Sequence, residues 1–79
     1  MARSSHWFNH AGSTFRYELT TTRSPVTLTY IAQVWRDGTQ FAFVHDTIAR
    51  DDSAVQRWSD VATELIAVIH AERKIRGLA

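Results

Sequence analysis

Four histidines are the side chains in this chain best suited to hold a metal or move a proton near neutral pH. His6 and His10 are separated by three intervening residues. Such a pair grips a metal when a helix or a fixed loop presents both rings, and Ser5-His6-Trp7-Phe8-Asn9-His10 predicts neither. A tetrahedral site would need further ligands. His45 and Asp46 are the plausible additions, and nothing in the sequence brings them near. No metal and no cofactor are therefore expected. His45 beside Asp46 reads as a fragment of acid–base chemistry, but neighbours in a strand point to opposite faces. The expected place of His45 is the rim of the core, near Tyr30. No nucleophile lies at recognisable spacing from a base, the three glycines are scattered, and no carboxylates are paired. Enzymatic chemistry is not expected.

Arg57, Arg73, Lys74 and Arg76 form the other chemical cluster. On a helix they compensate its negative end, with Glu72 and Arg76 at pairing distance. The functional alternative is a phosphate or acidic-partner contact, hence a nucleic-acid-binding module. The net charge of +1 argues against broad nucleic-acid binding, although eight of the nine basic residues are Arg, which suits forked contacts to a partner.

The elements that would position these residues begin with a hairpin over residues 26–45, turning at Asp37-Gly38. If Arg36 pairs with Thr39, Val34 faces Phe41, Ala32 faces Phe43 and Tyr30 faces His45. The opposite side then carries Thr29, Ile31, Gln33 and Trp35 against Gln40, Ala42, Val44 and Asp46. A preceding strand alternates Phe15, Tyr17 and Leu19 with Thr14, Arg16, Glu18 and Thr20. With Thr22 across from Pro25, Leu19 meets Leu28, Tyr17 meets Tyr30 and Phe15 meets Ala32. A slip of one residue would bury Arg16 and Glu18, so the faces are well specified. Residues 1–12 read either as an edge strand turning through Ala11-Gly12-Ser13 or as a mobile arm.

Residues 53–76 predict a long helix. Ser53 and Gln56 have capping-box spacing, Asp51 and Asp52 suit its positive end, and Gly77 is a natural stop. Val55, Trp58, Val61, Ala62, Leu65, Val68 and Ile69 recur at three- and four-residue steps, one helical face. Such a helix is about 36 Å long at ~1.5 Å per residue, against ~30 Å for a nine-residue strand. It must overhang the sheet or break near Ser59-Asp60. The expected fold is α+β: a three- or four-stranded antiparallel β-meander over residues 14–46 or more, with one long C-terminal helix packed on one face. Phe15, Tyr17, Leu19, Leu28, Tyr30, Val34, Phe41 and Phe43 would form the core against the helix. On this assignment Phe43→Ala or Leu65→Ala costs ~2–5 kcal/mol.

At 79 residues the chain makes one domain with a thin core, and with no cysteine it has no disulfide to support it. A homodimer, or docking on a larger protein, would relieve that shortage. No stretch is apolar enough to cross a membrane or to act as a leader, so a cytoplasmic setting is expected. On the far side of the sheet Ile31, Trp35 and Val44 are expected beside Arg16 and Glu18, a mixture of apolar, aromatic and charged side chains suited to a protein contact.

The layout of about eighty residues, a sheet followed by a helical segment and no catalytic motif, resembles some small phage-encoded anti-CRISPR proteins. The likeness spans the chain as an order of elements, so no functional residue is carried over. It implies a stoichiometric inhibitor that docks on a large nucleic-acid-guided complex. The expectation is a non-enzymatic protein-binding module acting through Arg16, Glu18, Ile31, Trp35 and Val44. The alternatives are nucleic-acid binding through Arg57, Arg73, Lys74 and Arg76, or a structural subunit of a homo-oligomer.

Overall fold

Two tight turns set the sheet. At Ala11-Gly12 and at Asp37-Gly38 both central residues take positive φ, 50° and 82° in the first turn and 49° and 85° in the second. This is the mirror-image turn whose twist matches the strands it joins. Asp37 secures the second turn to the first hairpin. Its Oδ1 accepts Thr14 N–H at 2.9 Å, and its own N–H donates to Thr14 O at 2.8 Å.

The computed structural model describes residues 2–24, 26–49 and 60–79, with side chains in the last stretch from residue 63. Strands β1 (Ala2–His10), β2 (Ser13–Arg23), β3 (Thr27–Arg36) and β4 (Thr39–Ala49) form one antiparallel sheet in chain order, followed by helix α1 (Asp60–Leu78). The fold is α+β, a four-stranded meander with one described helix on one face. No helix among the described residues is long and apolar enough to cross a membrane.

The N-terminal segment is a strand, not an arm. It pairs with β2 without interruption from Ala2↔Thr21 to His10↔Ser13. Alternate side chains anchor it: Phe8 stacks on Phe15 at 5.4 Å and His6 on Tyr17 at 5.3 Å, ring centre to ring centre.

The β2–β3 register differs from the expected one. Leu19 pairs with Ala32, Tyr17 with Val34 and Phe15 with Arg36. The strands continue past Thr22, and the connection is closed by Ser24, whose Oγ accepts the Thr27 N–H at 2.9 Å. The displacement is an even number of residues, so each side chain keeps its expected face.

The β3–β4 register is corrected in a way that does change faces. Arg36 pairs with Thr39 as expected, but a bulge interrupts the ladder between Val34 and Trp35. Beyond it Val34 pairs with Ala42, Ala32 with Val44 and Tyr30 with Asp46. The extra residue is Phe41, which stays on the core side, edge-on to Phe15 at 5.6 Å. A bulge shifts every following residue to the opposite face. Val44, expected on the outer face, is therefore 5% exposed within the core, while Phe43, expected in the core, is 58% exposed outside it. His45 likewise leaves the core rim and lies opposite Ile31.

Helix α1 turns a different stripe to the sheet from the expected one. Thr63, Ala67, Ala71 and Ile75, each four residues after the last, are buried, whereas Leu65 is 56% exposed and Ile69 is also turned outward. The sheet offers large side chains, Phe15, Tyr17, Tyr30 and Leu28, all buried. A helix laid on that surface fits best with small residues beneath its axis, and the alanines let it approach. Val68, expected in the buried stripe, is half-buried against the core. The expected cap at Ser53 and Gln56, the break near Ser59-Asp60, the core partners Val55 and Trp58, and the side chains of Val61 and Ala62 lie outside the described residues. The helix runs one residue past the expected stop at Gly77.

Candidate protein-contact face

With β2, β3 and β4 beneath α1, the alternate residues of all four strands form the opposite, outer face of the sheet. The strand pairing sets them in rows. Trp7, Arg16, Trp35 and Gln40 form one row; Ser5, Glu18, Gln33 and Phe43 the next; Arg3, Thr20, Ile31 and His45 a third. Arg16 is ordered from two sides. Its guanidinium lies 4.1 Å from the centre of the Trp35 ring, and its Nη1 is 3.7 Å from Glu18 Oε1. A cation over an indole face keeps the arginine extended across the sheet. It also leaves Trp35 half-buried, while Trp7 and Ile31 remain 69% and 50% exposed.

Four of the five residues expected at a partner contact, Arg16, Glu18, Ile31 and Trp35, thus share this face. Val44 does not, for the reason given by the bulge. Two members were not foreseen. Trp7 stands in the row of Arg16 and Trp35, and Phe43 lies opposite Gln33, in the place expected for Ala42. The core-facing positions change parity along β4. Phe41 is odd, while Val44 and Ile48 are even, and all three lie against the core. A strand with a single buried face can do that only through a bulge.

The basic helix end is largely committed within the chain. Lys74 Nζ donates to His45 O at 3.0 Å and lies 3.4 Å from Asp46 Oδ2. Arg76 lies 3.5 Å from Glu72 Oε1, the expected pair, and its guanidinium sits 4.9 Å from the Phe8 ring centre. Arg73 is exposed, and Arg57 lies outside the described residues. Asp46 is held below the usual carboxylate range, first by the Thr47 N–H at 2.8 Å and then by Lys74.

The histidines do not converge. His6 and His10 share the inner face of β1, but four residues of strand separate them by about 13 Å. Among the described residues no group of three metal-binding side chains occurs. His6 does meet both a hydroxyl and a carboxylate: its Nε2 lies 2.8 Å from Ser4 Oγ and 3.3 Å from Glu64 Oε1. A proton relay would place them on opposite ring nitrogens, so that the carboxylate orients the ring while the other nitrogen takes the hydroxyl proton. Here both reach the same nitrogen, and they compete.

Two buried tyrosines complete the inner face. Tyr17 Oη donates to Glu72 Oε2 at 2.7 Å; burial, and then this hydrogen bond, hold its phenol far above the usual value. Tyr30 Oη is buried and has no hydrogen-bond partner among the described residues. Burial, and then the negative Asp46, push its phenol up to about 12.

Comparison with known proteins adds no relative to these observations: no family model, no curated protein and no solved structure matches the chain.

Proposed function

We propose that this chain is a non-enzymatic protein-binding module that docks through the outer face of its sheet. The observation that carries the reading is one constellation: Trp7, Ile31 and Phe43 exposed around an Arg16–Trp35 stack, on the side that α1 leaves bare. Interface centres favour aromatic side chains and arginine, because both bury large areas at low cost in lost rotamer freedom. The most specific form of the reading follows from the anti-CRISPR resemblance. In that form the partner is a large nucleic-acid-guided complex, and the module inhibits it by occupying a surface. Nucleic-acid binding through the helix end is less well supported, because Lys74 and Arg76 are engaged by carboxylates of the chain itself.

A photo-crosslinking residue at Gln33, at the middle of the face, should label the partner, and the same residue at Ile69 on the helix should not. Trp35→Ala and Phe43→Asp should each abolish capture while circular dichroism stays unchanged. Capture that survives both substitutions in folded protein removes this face from consideration.

A further inference from the structure

An open sheet has two edges, and this one treats them differently. The outer edge of β4 is guarded: a bulge twists it, and Lys74 reaches across to occupy the His45 carbonyl at 3.0 Å. Bulges and lysines are the usual means of stopping a strand from pairing further. β1 has neither. Its register with β2 is unbroken over nine residues, with no proline and one charged residue, Arg3.

The free groups of β1 can be identified. Asp37 N–H donates to Thr14 O, so Thr14 turns its main chain away from β1. In an antiparallel ladder the direction alternates with each residue. Ser13, Phe15, Tyr17 and Leu19 therefore bond toward β1, where their partners are His10, Phe8, His6 and Ser4. The N–H and C=O groups of Arg3, Ser5, Trp7 and Asn9 are left pointing outward.

We propose that β1 is a homodimerisation edge, on which a second copy of this chain lays its own β1 antiparallel about a two-fold axis through His6. This stands independently of the outer-face reading and goes beyond it. The register follows from the residues. Outward groups must meet outward groups, and only an axis at His6 overlaps the whole of β1 with itself. It sets Ser5 against Trp7, Ser4 against Phe8, Ala2 against His10 and Arg3 against Asn9. Trp7, Phe8 and His10 then each meet a smaller side chain, Arg3 does not meet its own copy, and His6 alone faces itself across the axis. Such a ladder holds about eight main-chain hydrogen bonds. Among the described residues the outward edge of β1 is left open: α1 packs mainly on β2, β3 and β4, and its Glu64 and Arg76 reach His6 and Phe8 on the inner face of β1. The two helices would lie on the same side of an eight-stranded sheet, on either side of the paired β1 strands. A chain of 79 residues has a thin core, and this pairing extends it without a disulfide or a metal.

Sedimentation of the full chain from micromolar to millimolar protein should show a dimer that dissociates on dilution. Ser5→Pro removes an outward N–H and leaves the β1–β2 ladder intact. It should weaken the dimer by at least ~10-fold, since each copy loses a bond, with circular dichroism unchanged. Ser5→Ala should leave it as it was. Should Ser5→Pro fail to fold, cysteines decide. The chain has none of its own, and a directly opposed pair on such an axis stands about 4.5 Å apart, within disulfide reach. His6→Cys should then oxidise to a covalent dimer, while Asn9→Cys, far from its own copy, should not. A single monomer mass at every concentration overturns the proposal, and so does a dimer that resists both Ser5→Pro and His6→Cys cross-linking. Trp35→Ala should leave the dimer unaltered, so that failure here and failure of the outer-face reading are told apart.

Discussion

The two faces of the sheet are built by the same strands, yet they meet opposite fates. On the inner face Phe15, Tyr17, Leu19, Leu28, Tyr30, Ala32 and Val34 are essentially inaccessible. On the outer face, one residue along each strand, Trp7, Ile31 and Phe43 remain half exposed or more. The difference does not lie in backbone or propensity, since both sets occupy the same ladders. It lies in α1, which covers one side only. Burial of apolar area is what stabilises a small fold, so the inner residues hold the chain together. The outer ones contribute little to that.

The largest expected effect tests this division directly. Leu28→Ala or Ile75→Ala removes a fully buried side chain between sheet and helix and should cost ~2–5 kcal/mol, measured by urea unfolding. Phe43→Ala should stay within about 0.5 kcal/mol, as surface substitutions usually do. A Phe43→Ala penalty as large as that of Leu28→Ala would mean that the outer face is covered in solution and that the contrast is false.

A sharper test uses two tyrosines on the same inner face. Tyr17→Phe deletes the donor that serves Glu72 at 2.7 Å and should destabilise by ~1–2 kcal/mol. Tyr30→Phe deletes a buried hydroxyl with no partner among the described residues, so it should be neutral or stabilise by up to ~1 kcal/mol. Both phenols have raised pKa values. The stability tied to their neutral forms is intact below the ordinary tyrosine value of about 10 and is lost as pH rises toward the folded value. For Tyr30 that window extends to about 12. Spectrophotometric titration of the phenols in each variant assigns the steps. A loss on Tyr30→Phe equal to that on Tyr17→Phe would show that its hydroxyl is in fact satisfied.

How much of this could be read beforehand depended on whether one side of an element was unambiguous. In β2 apolar and polar residues alternate cleanly, and in β3 every second residue from Leu28 to Val34 is apolar, so Tyr17, Leu19, Tyr30 and Val34 belong on the core side whatever the pairing between the strands. That is why Arg16, Glu18, Ile31 and Trp35 could be placed. In β4 the apolar residues Phe41, Ala42, Phe43 and Val44 run together, and no alternation marks where the bulge falls. Phe43 and Val44 exchanged faces for that reason. In the helix, side-chain size misleads. Leu65 and Ile69 dominate a count of apolar residues, while the stripe that touches the sheet is made largely of Ala67 and Ala71. Their small size suits a surface already filled by tyrosine and phenylalanine, a property of the partner that the helix's own periodicity does not record.

The smallest effect concerns the rim where α1 meets β4. Asp46 stands on the inner side of β4 and is held ionised by the Thr47 N–H and by Lys74, 3.4 Å away. Its folded pKa lies below the ordinary value, so its contribution to stability is present above about pH 4 and fades as pH falls through the folded pKa. Asp46→Asn should therefore be slightly less stable than the parent at neutral pH, and the two should converge in acid. Lys74→Met should narrow the gap further, because the ammonium that favours the ionised carboxylate is gone. The pair is solvent-exposed, so added salt should also shrink the difference. None of the three changes should alter Trp35 fluorescence, since the indole lies on the other side of the sheet. A gap between Asp46→Asn and the parent that stays constant through the acid range would show that the carboxylate acts by packing, and that the strap between helix and edge is not electrostatic.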